Sequence, residues 1–199
     1  MEITKMCLGM FATNTYLLRE GDDVILIDPA SKAEKLIGML EGKRLLAVLL
    51  THGHFDHIKA VDGLYEEYGI PVYISAKDEE LCRDKTQNLS FGLPYSPTVT
   101  CPVVHLREGK MKIGPFDFEV IFTPGHTPGS VCFLFEDCLF SGDTLFKGSI
   151  GRTDLKGGNM NEMRSSLRIL KELDPELTVC PGHDEITTMG EELENNPFL

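Results

Sequence analysis

The stretch THGHFDH, residues 51–57, directly follows the apolar run LLAVLL at residues 45–50. It holds three of the six histidines of the chain, together with Asp56. A continuous apolar run predicts a strand that is buried on both faces, so the cluster stands where that strand ends. Burying so many ionisable groups without a shared ligand would cost several kcal/mol. The pattern therefore indicates a functional site rather than a polar turn.

Three further ionisable side chains stand at the ends of other predicted strands. His126 follows the run VIFTPG, Asp143 follows CLFSG, and His183 follows LTVCPG. Taken singly, they read as a turn histidine, an N-cap or turn aspartate, and a helix cap. Because the carboxyl ends of strands gather ligand sites in open α/β sheets, we expect them to converge on the first cluster. His105 lies outside every such turn and is interpreted as an ordinary loop or strand residue.

The expected site has more donors than one metal ion needs. Five imidazoles and two carboxylates exceed the four ligands of a tetrahedral zinc, and they fit two adjacent ions ~3.5–4 Å apart. Nitrogen and oxygen donors without sulfur suit zinc, iron or manganese, and we take two divalent ions, zinc foremost, as the expected cofactors. The predicted metal ligands are His52, His54, Asp56, His57, His126, Asp143 and His183.

The order of predicted elements indicates the fold class. The predicted strands are Thr15–Leu18, Val24–Ile27, 45–50, 71–75, Phe116–Phe122, Val131–Phe135, Cys138–Phe140 and 177–180. The predicted helices are Ser31–Glu41 with Ser31 as its cap, Ile58–Tyr68, Ala76–Asp84, Asn161–Leu173 and a last one containing Glu191–Asn195, with loops at 85–101 and 147–160. Strand pairs and helices alternate twice. This predicts an α/β, four-layer αββα sandwich, in which residues 1–199 form one domain with two packed mixed β-sheets flanked by helices.

The composition restricts the partners and the compartment. It is 42% hydrophobic and 25% charged, and the net charge of −12 disfavours a nucleic-acid surface. No apolar run reaches the ~20 residues of a membrane span, and MEITKMCLGM lacks the basic-then-apolar order of a signal peptide. The six cysteines show no Cys-x-x-Cys spacing, which favours buried thiols in a reducing compartment. We expect a cytoplasmic protein without nucleic-acid or membrane partners; the sequence indicates no oligomeric state.

In this order, the motifs resemble those of the metallo-β-lactamase-fold hydrolases, in their glyoxalase II-like branch. The matching segments are His-x-His-x-Asp-His, TPGHTPGS, SGDTLF and PGH, and the similarity extends through GSIGRTDL and NNPFL. The resemblance implies one metal on His52, His54 and His126, a second on Asp56, His57 and His183, and Asp143 bridging both. It also implies that Asp28, in LIDPA, orients a ligand histidine. A turn residue before Pro29 is an equally good interpretation of Asp28.

The resemblance further implies a metal-dependent hydrolase that cleaves a thioester of the hydroxyacylglutathione type. A hydroxide that bridges the metals would attack the carbonyl, with Asp56 and Asp143 as catalytic ligands. Arg152 stands where the family has a lysine, and we expect it to bind an anionic small-molecule thioester. Asp154 departs from the family, which has a tyrosine there. The other basic residues of this loop, Lys147 and Lys156, are interpreted as solvated side chains.

Other activities of the same superfamily remain open at this stage. The GRTD segment and the pair His183-Asp184 also resemble the persulfide dioxygenases, which use a single iron; its ligands here would be His52, His126 and Asp143. A hydrolase acting on a lactone or phosphoester and a non-catalytic metal-binding module are further alternatives. A β-lactamase is disfavoured because no export signal is evident.

Overall fold

The computed structural model describes residues 1–199 and has fourteen strands and five helices. The strands are β1 (Glu2–Leu8), β2 (Thr13–Glu20), β3 (Asp23–Ile27), β4 (Arg44–Leu49), β5 (Val72–Ile74), β6 (Val104–His105), β7 (Gly109–Ile113), β8 (Phe116–Phe122), β9 (Val131–Leu134), β10 (Cys138–Gly142), β11 (Leu145–Phe146), β12 (Ser149–Ile150), β13 (Thr178–Pro181) and β14 (Thr187–Thr188). The helices are α1 (Ala33–Met39), α2 (Val61–Tyr68), α3 (Glu79–Arg83), α4 (Met160–Leu170) and α5 (Met189–Asn195).

Twelve of the strands form two six-stranded mixed sheets. The first has the order β1-β2-β3-β4-β5-β6 and the second the order β14-β13-β10-β9-β8-β7, while β11 and β12 form a separate hairpin. Strands β3 to β6 pair in parallel, and so do β10 and β13; the remaining neighbours are antiparallel. Because parallel strands end at the same edge of a sheet, the segments after β3 and β4 lie side by side, as do those after β10 and β13.

Three apolar layers hold the elements together. One layer lies between the sheets, where Leu49 and Ile27 of the first sheet pack with Phe133 and Phe140 of the second. A second layer joins the outer face of the first sheet to α1, α2 and α3, and a third joins the second sheet to α4 and α5. The predicted four-layer αββα sandwich is confirmed. The run at 45–50 is continuously apolar because β4 is buried on both faces.

The bounds of three predicted helices were wrong at their first turn. Helix α3 begins at Glu79 rather than at Ala76. Helix α1 follows Lys32 rather than a Ser31 cap, and no side chain caps it. Helix α2 begins at Val61 rather than at Ile58, because the backbone of Ala60 turns to donate a hydrogen bond to the Pro29 carbonyl. The start of α2 is fixed by this contact with distant backbone, which helical periodicity does not detect.

Four strands, β1, β6, β7 and β14, and the hairpin of β11 and β12 were not predicted. Strand β1 pairs along its whole length with β2, and β7 pairs with β8, but both have exposed or half-buried side chains at most positions. A strand with few buried side chains lacks a strong apolar pattern. The loop predicted at 147–160 contains β12, which pairs with β11 immediately before the loop.

The cysteines follow the prediction of free thiols. All six are unpaired, and five are buried, with Cys7 exposed. None of the helices combines the length and the apolar character that crossing a bilayer would require.

Candidate metal centre

All seven side chains predicted as metal ligands meet at one edge of the two sheets. Three overlapping groups have their donor atoms within 4.8 Å of one another: His52, His54 and His126; Asp56, His57 and His183; and His52, His57 and Asp143. Each of the first two groups takes residues from the loop after β4 in the first sheet and a histidine that follows a strand of the second sheet. The cluster therefore lies across the junction between the sheets.

Asp143 lies between the two groups and contacts both. Its Oδ2 is 3.4 Å from His126 Nε2 and 3.6 Å from His183 Nε2, and its Oδ1 is 3.4 Å from His57 Nε2. His183 Nε2 is also 3.3 Å from Asp56 Oδ2. Bonds of ~2.0–2.1 Å to a zinc ion place tetrahedral ligands ~3.4 Å apart, so these spacings match the edges of a coordination polyhedron.

Buried polar atoms without a partner also indicate a cation. His52 Nε2, His54 Nε2 and Asp143 Oδ1 are buried and make no hydrogen bond. Leaving such an atom unpaired costs ~1–3 kcal/mol, and more for a charged group. Imidazole nitrogens and carboxylate oxygens are ligands of divalent metals, so the donor set fits one or two such ions.

In four of the imidazoles, a hydrogen bond at Nδ1 fixes the orientation of the ring and turns Nε2 toward the cluster. The Nδ1 of His126 donates to the Arg152 carbonyl at 2.8 Å, and that of His183 donates to the Phe11 carbonyl at 3.1 Å. The Nδ1 atoms of His52 and His57 are held by Thr51 Oγ1 and Asp28 Oδ2, respectively. With the proton on Nδ1, the lone pair that can bind a cation is on Nε2.

Asp28 occupies the position that the resemblance implies and contacts a predicted ligand. Its carboxylate lies 2.9 Å from His57 Nδ1 and accepts hydrogen bonds from Thr51 N at 2.8 Å and Thr51 Oγ1 at 2.6 Å. The residue is buried and has a φ of 50°, which is strained for an aspartate. The carboxylate connects the segment after β3 to the segment after β4, a role that a simple turn residue would not have.

Glycine is required at two places where the backbone passes the cluster. A Cβ atom at Gly182 would overlap Asp143 Oδ1 and approach His57 Cε1 to 2.9 Å. A Cβ atom at Gly151 would overlap the Asp143 carbonyl oxygen. The glycines of the PGH and SIGR segments therefore leave room for the donor atoms.

The electrostatics of the cluster divide the histidines into two kinds. Burial, with the neighbouring imidazoles, lowers the pKa of His54 to about 3 and that of His52 well below its usual value. Burial also acts to lower the pKa of His57, but the carboxylates of Asp56, Asp143 and Asp28 outweigh it and raise the pKa to about 10. His52 and His54 are thus neutral at pH 7, the form in which imidazole binds metals.

Comparison with known proteins gives the same assignment as the geometry. Residues 8–183 match the Metallo-beta-lactamase superfamily. The chain belongs to this superfamily. It is 40% identical to a probable metallo-hydrolase, YqgX of Bacillus subtilis, over 100% of this chain and 98% of that protein. It is 34% identical to the hydroxyacylglutathione hydrolase GloC of Haemophilus influenzae, with the same coverage of both chains.

Solved structures of the superfamily superpose closely on this chain. The B3 metallo-beta-lactamase BLEG-1 is 41% identical with a TM-score of 0.92, covering 100% of this chain and 99% of that chain. TTHA1623 in a di-iron-bound form is 41% identical with a TM-score of 0.87, covering 98% and 100%. ETHE1 from Myxococcus xanthus is 31% identical with a TM-score of 0.81, covering 99% and 84%. These similarities place the chain among metallo-hydrolases of this fold.

Sequence reasoning missed one buried acid of this superfamily member, Asp78. Its Oδ2 accepts hydrogen bonds from Gly53 N at 3.0 Å and Thr127 Oγ1 at 2.7 Å, and its Oδ1 accepts one from Gly129 N at 2.7 Å. Asp78 is fully buried and precedes α3, where the acid-rich segment KDEE predicts only a helix start. The carboxylate joins the loop of His52 and His54 to the loop of His126.

Replacing Asp78 by asparagine is therefore expected to weaken metal binding by the group of His52, His54 and His126 about 10–100-fold. This is the usual effect of losing a residue that orients ligands. An amide nitrogen would face backbone N–H donors, and the two loops would separate. Competition with a chromophoric chelator measures the affinity.

The matched control for Asp78 is Asp62→Asn. Asp62 also organises a loop, because it accepts hydrogen bonds from the backbone of Thr100 and Cys101, but it lies outside the cluster. Equal metal affinities of the two variants would contradict the role assigned to Asp78.

The basic residues near the cluster are engaged by acids. The Nε and Nη2 atoms of Arg152 each donate a hydrogen bond of 2.8 Å to the Asp154 carboxylate. The Arg152 side chain is 62% exposed. Lys147 pairs with Glu185 at 2.6 Å. The predicted binding of an anionic substrate by the Arg152 side chain stays a prediction, while its backbone carbonyl holds His126. His105 lies on β6 and contacts Glu79, apart from the cluster.

Proposed function

We propose that this superfamily member is a thioester hydrolase that binds two divalent metal ions. The observation that carries the proposal is the position of Asp143, whose two oxygens contact histidines of both donor groups. A carboxylate shared in this way is what a two-metal site requires. The similarity to a hydroxyacylglutathione hydrolase over the whole chain supports the substrate class.

The residues of the chain have distinct parts in this reaction. A bound pair of divalent cations supplies a water of lowered pKa and polarises the substrate carbonyl. His52, His54 and His126 would hold one cation, and Asp56, His57 and His183 the other, with Asp143 between them. Asp28 and Thr13 orient the second group, because Thr13 Oγ1 donates a hydrogen bond to Asp56 at 2.8 Å.

The contacts of the three aspartates at the cluster bear on which leaving group the site can release. Asp56, Asp143 and Asp28 each contact an imidazole of the cluster, so none is free to protonate a departing atom. A thiolate leaves without a strong general acid, whereas an amine or alkoxide does not. The geometry therefore favours a thioester over an amide or an ordinary ester.

Zinc is the metal that we propose for both positions, since nitrogen and oxygen donors at tetrahedral spacing suit it. The di-iron form of TTHA1623 makes iron the principal alternative. Because all six cysteines are free thiols, we also propose that the protein works in the reducing cytoplasm.

Metal content and hydrolysis together test the proposed function. The purified protein is expected to contain about two metal equivalents and to hydrolyse S-lactoylglutathione, followed as the loss of thioester absorbance. Removing the metals with a chelator should abolish the hydrolysis, and adding zinc back should restore it. A chain with two metals that cleaves no thioester would contradict the substrate class but not the metal site.

A persulfide dioxygenase is the second candidate, favoured by the similarity to ETHE1. That activity predicts one iron per chain and oxygen uptake with glutathione persulfide. The similarity to BLEG-1 adds a third assay, in which cleavage of a chromogenic β-lactam faster than of any thioester would replace the proposed function.

A further inference from the structure

We propose that three phenylalanines at the mouth of the metal centre bind an apolar, uncharged substituent of the thioester substrate. We call Phe11, Phe55 and Phe146 the aromatic rim. This inference rests on the proposed thioester hydrolysis and specifies which thioesters the site accepts. It is carried by the position of the rings, the rigidity of the loop that presents them, and the pairing of the nearby charges.

Two residues of the aromatic rim, Phe11 and Phe146, lie against His183, and the third, Phe55, packs on Phe11. The Phe11 carbonyl accepts the hydrogen bond from His183 Nδ1, and the Phe146 ring centroid lies 6.1 Å from that of His183. The rings of Phe11 and Phe55 pack edge to face with centroids 5.0 Å apart. Phe55 is the residue between His54 and Asp56. The rim is therefore joined to the predicted ligands through the Phe146 ring, the Phe11 backbone and the chain neighbours of Phe55.

The loop that presents Phe11 is held in place. It forms the turn between β1 and β2, and Gly9 enters it in the left-handed region, where a Cβ atom would lie 2.9 Å from the Ala30 carbonyl oxygen. The Cys7 thiol donates to the Ala12 carbonyl, and Thr13 Oγ1 donates to Asp56. Phe11 is 48% exposed on this fixed loop, so its ring is accessible to a bound group.

Three basic side chains near the rim are already engaged within the chain. The Arg152 guanidinium is paired with Asp154, and Lys147 is paired with Glu185. Lys5 donates to the carbonyl of Asp184, the residue after His183. Because these three cations are engaged, and the chain has a net charge of −12, we expect the rim itself to bind through apolar contact rather than through ion pairs.

Two series of thioesters test the inference. The first lengthens the acyl group from acetyl to octanoyl on N-acetylcysteamine, and the second keeps acetyl and enlarges an uncharged thiol. We expect kcat/KM to rise about 3-fold per methylene in one series, as expected for burial of each CH₂ group. The series that shows the rise identifies which side of the thioester lies on the rim.

Phe11→Ala should flatten that rise, read as the ratio of kcat/KM between the longest and the shortest thioester of the series. The control is Ile169→Ala, an equally exposed apolar residue (47%) on α4, which should keep the full rise. Two flat series would overturn the inference while leaving thioester hydrolysis intact.

A binding measurement keeps the inference testable even if no thioester is cleaved. Calorimetry with an octyl thioether analogue of the substrate should give a dissociation constant at least about 5-fold weaker for Phe11→Ala than for Ile169→Ala. Equal constants for the two variants would refute the aromatic rim as a binding surface, whatever reaction the centre performs.

Discussion

Asp143→Ala is expected to lower kcat/KM for thioester hydrolysis at least about 10³-fold, which corresponds to ~4 kcal/mol. The carboxylate contacts His126 and His183 through one oxygen and His57 through the other, so its loss removes a donor from both groups at once. The same variant should retain fewer metal equivalents after dialysis. Elemental analysis and initial rates on the same preparation measure both effects.

Two comparisons make the Asp143 experiment decisive. Asp117→Ala removes an exposed carboxylate of β8 that pairs only with Lys112, and it should leave the metal content and rate unchanged. Asp143→Asn keeps the shape of the side chain but removes the charge. Its metal content and rate should lie between those of Asp143→Ala and Asp117→Ala. If Asp143→Ala kept both metals and full activity, the shared carboxylate would have no role.

Asp28→Ala is expected to have the largest effect on stability, lowering the free energy of unfolding by about 3–5 kcal/mol, as for other buried charge pairs that lose one partner. The buried donors on Thr51 and His57 would lose their acceptor. The pairing of His57 would also be lost, so metal affinity should fall about 10–100-fold in addition. Urea unfolding of the metal-loaded and chelator-treated protein separates the two contributions.

The control for Asp28 lies at the other end of the same strand. Asp23 is the first residue of β3 and pairs with Arg44 at the surface. Asp23→Ala should cost less than about 1 kcal/mol, as for most surface ion pairs. Similar losses for the two variants would mean that Asp28 contributes no more than a surface carboxylate.

The sequence predicted the site better than it predicted the elements around it. The seven donors were identifiable because each stands where an apolar strand run ends, and the resemblance then grouped them. Strand ends are visible in a sequence because the change from apolar to polar residues is abrupt. The start of α2 was misplaced because it depends on a long-range backbone contact.

The residues that support the donors were harder to predict. Asp78 stands among other acids at a helix start, so nothing local distinguishes it from its exposed neighbours. The carbonyls of Phe11 and Arg152 hold His183 and His126 through main-chain atoms, which residue identity does not reveal. Asp28 was ambiguous for a related reason, because an aspartate before a proline is also a common turn residue.

Each group of three donors joins the two sheets: His52 and His54 face His126 across the junction, and Asp56 and His57 face His183. A cation in either group would therefore cross-link the two sheets, which otherwise pack together through an apolar layer. Because each cation would be held from both sheets, its release would be coupled to movement of one sheet relative to the other. The rate of metal loss would then measure how often the two sheets separate.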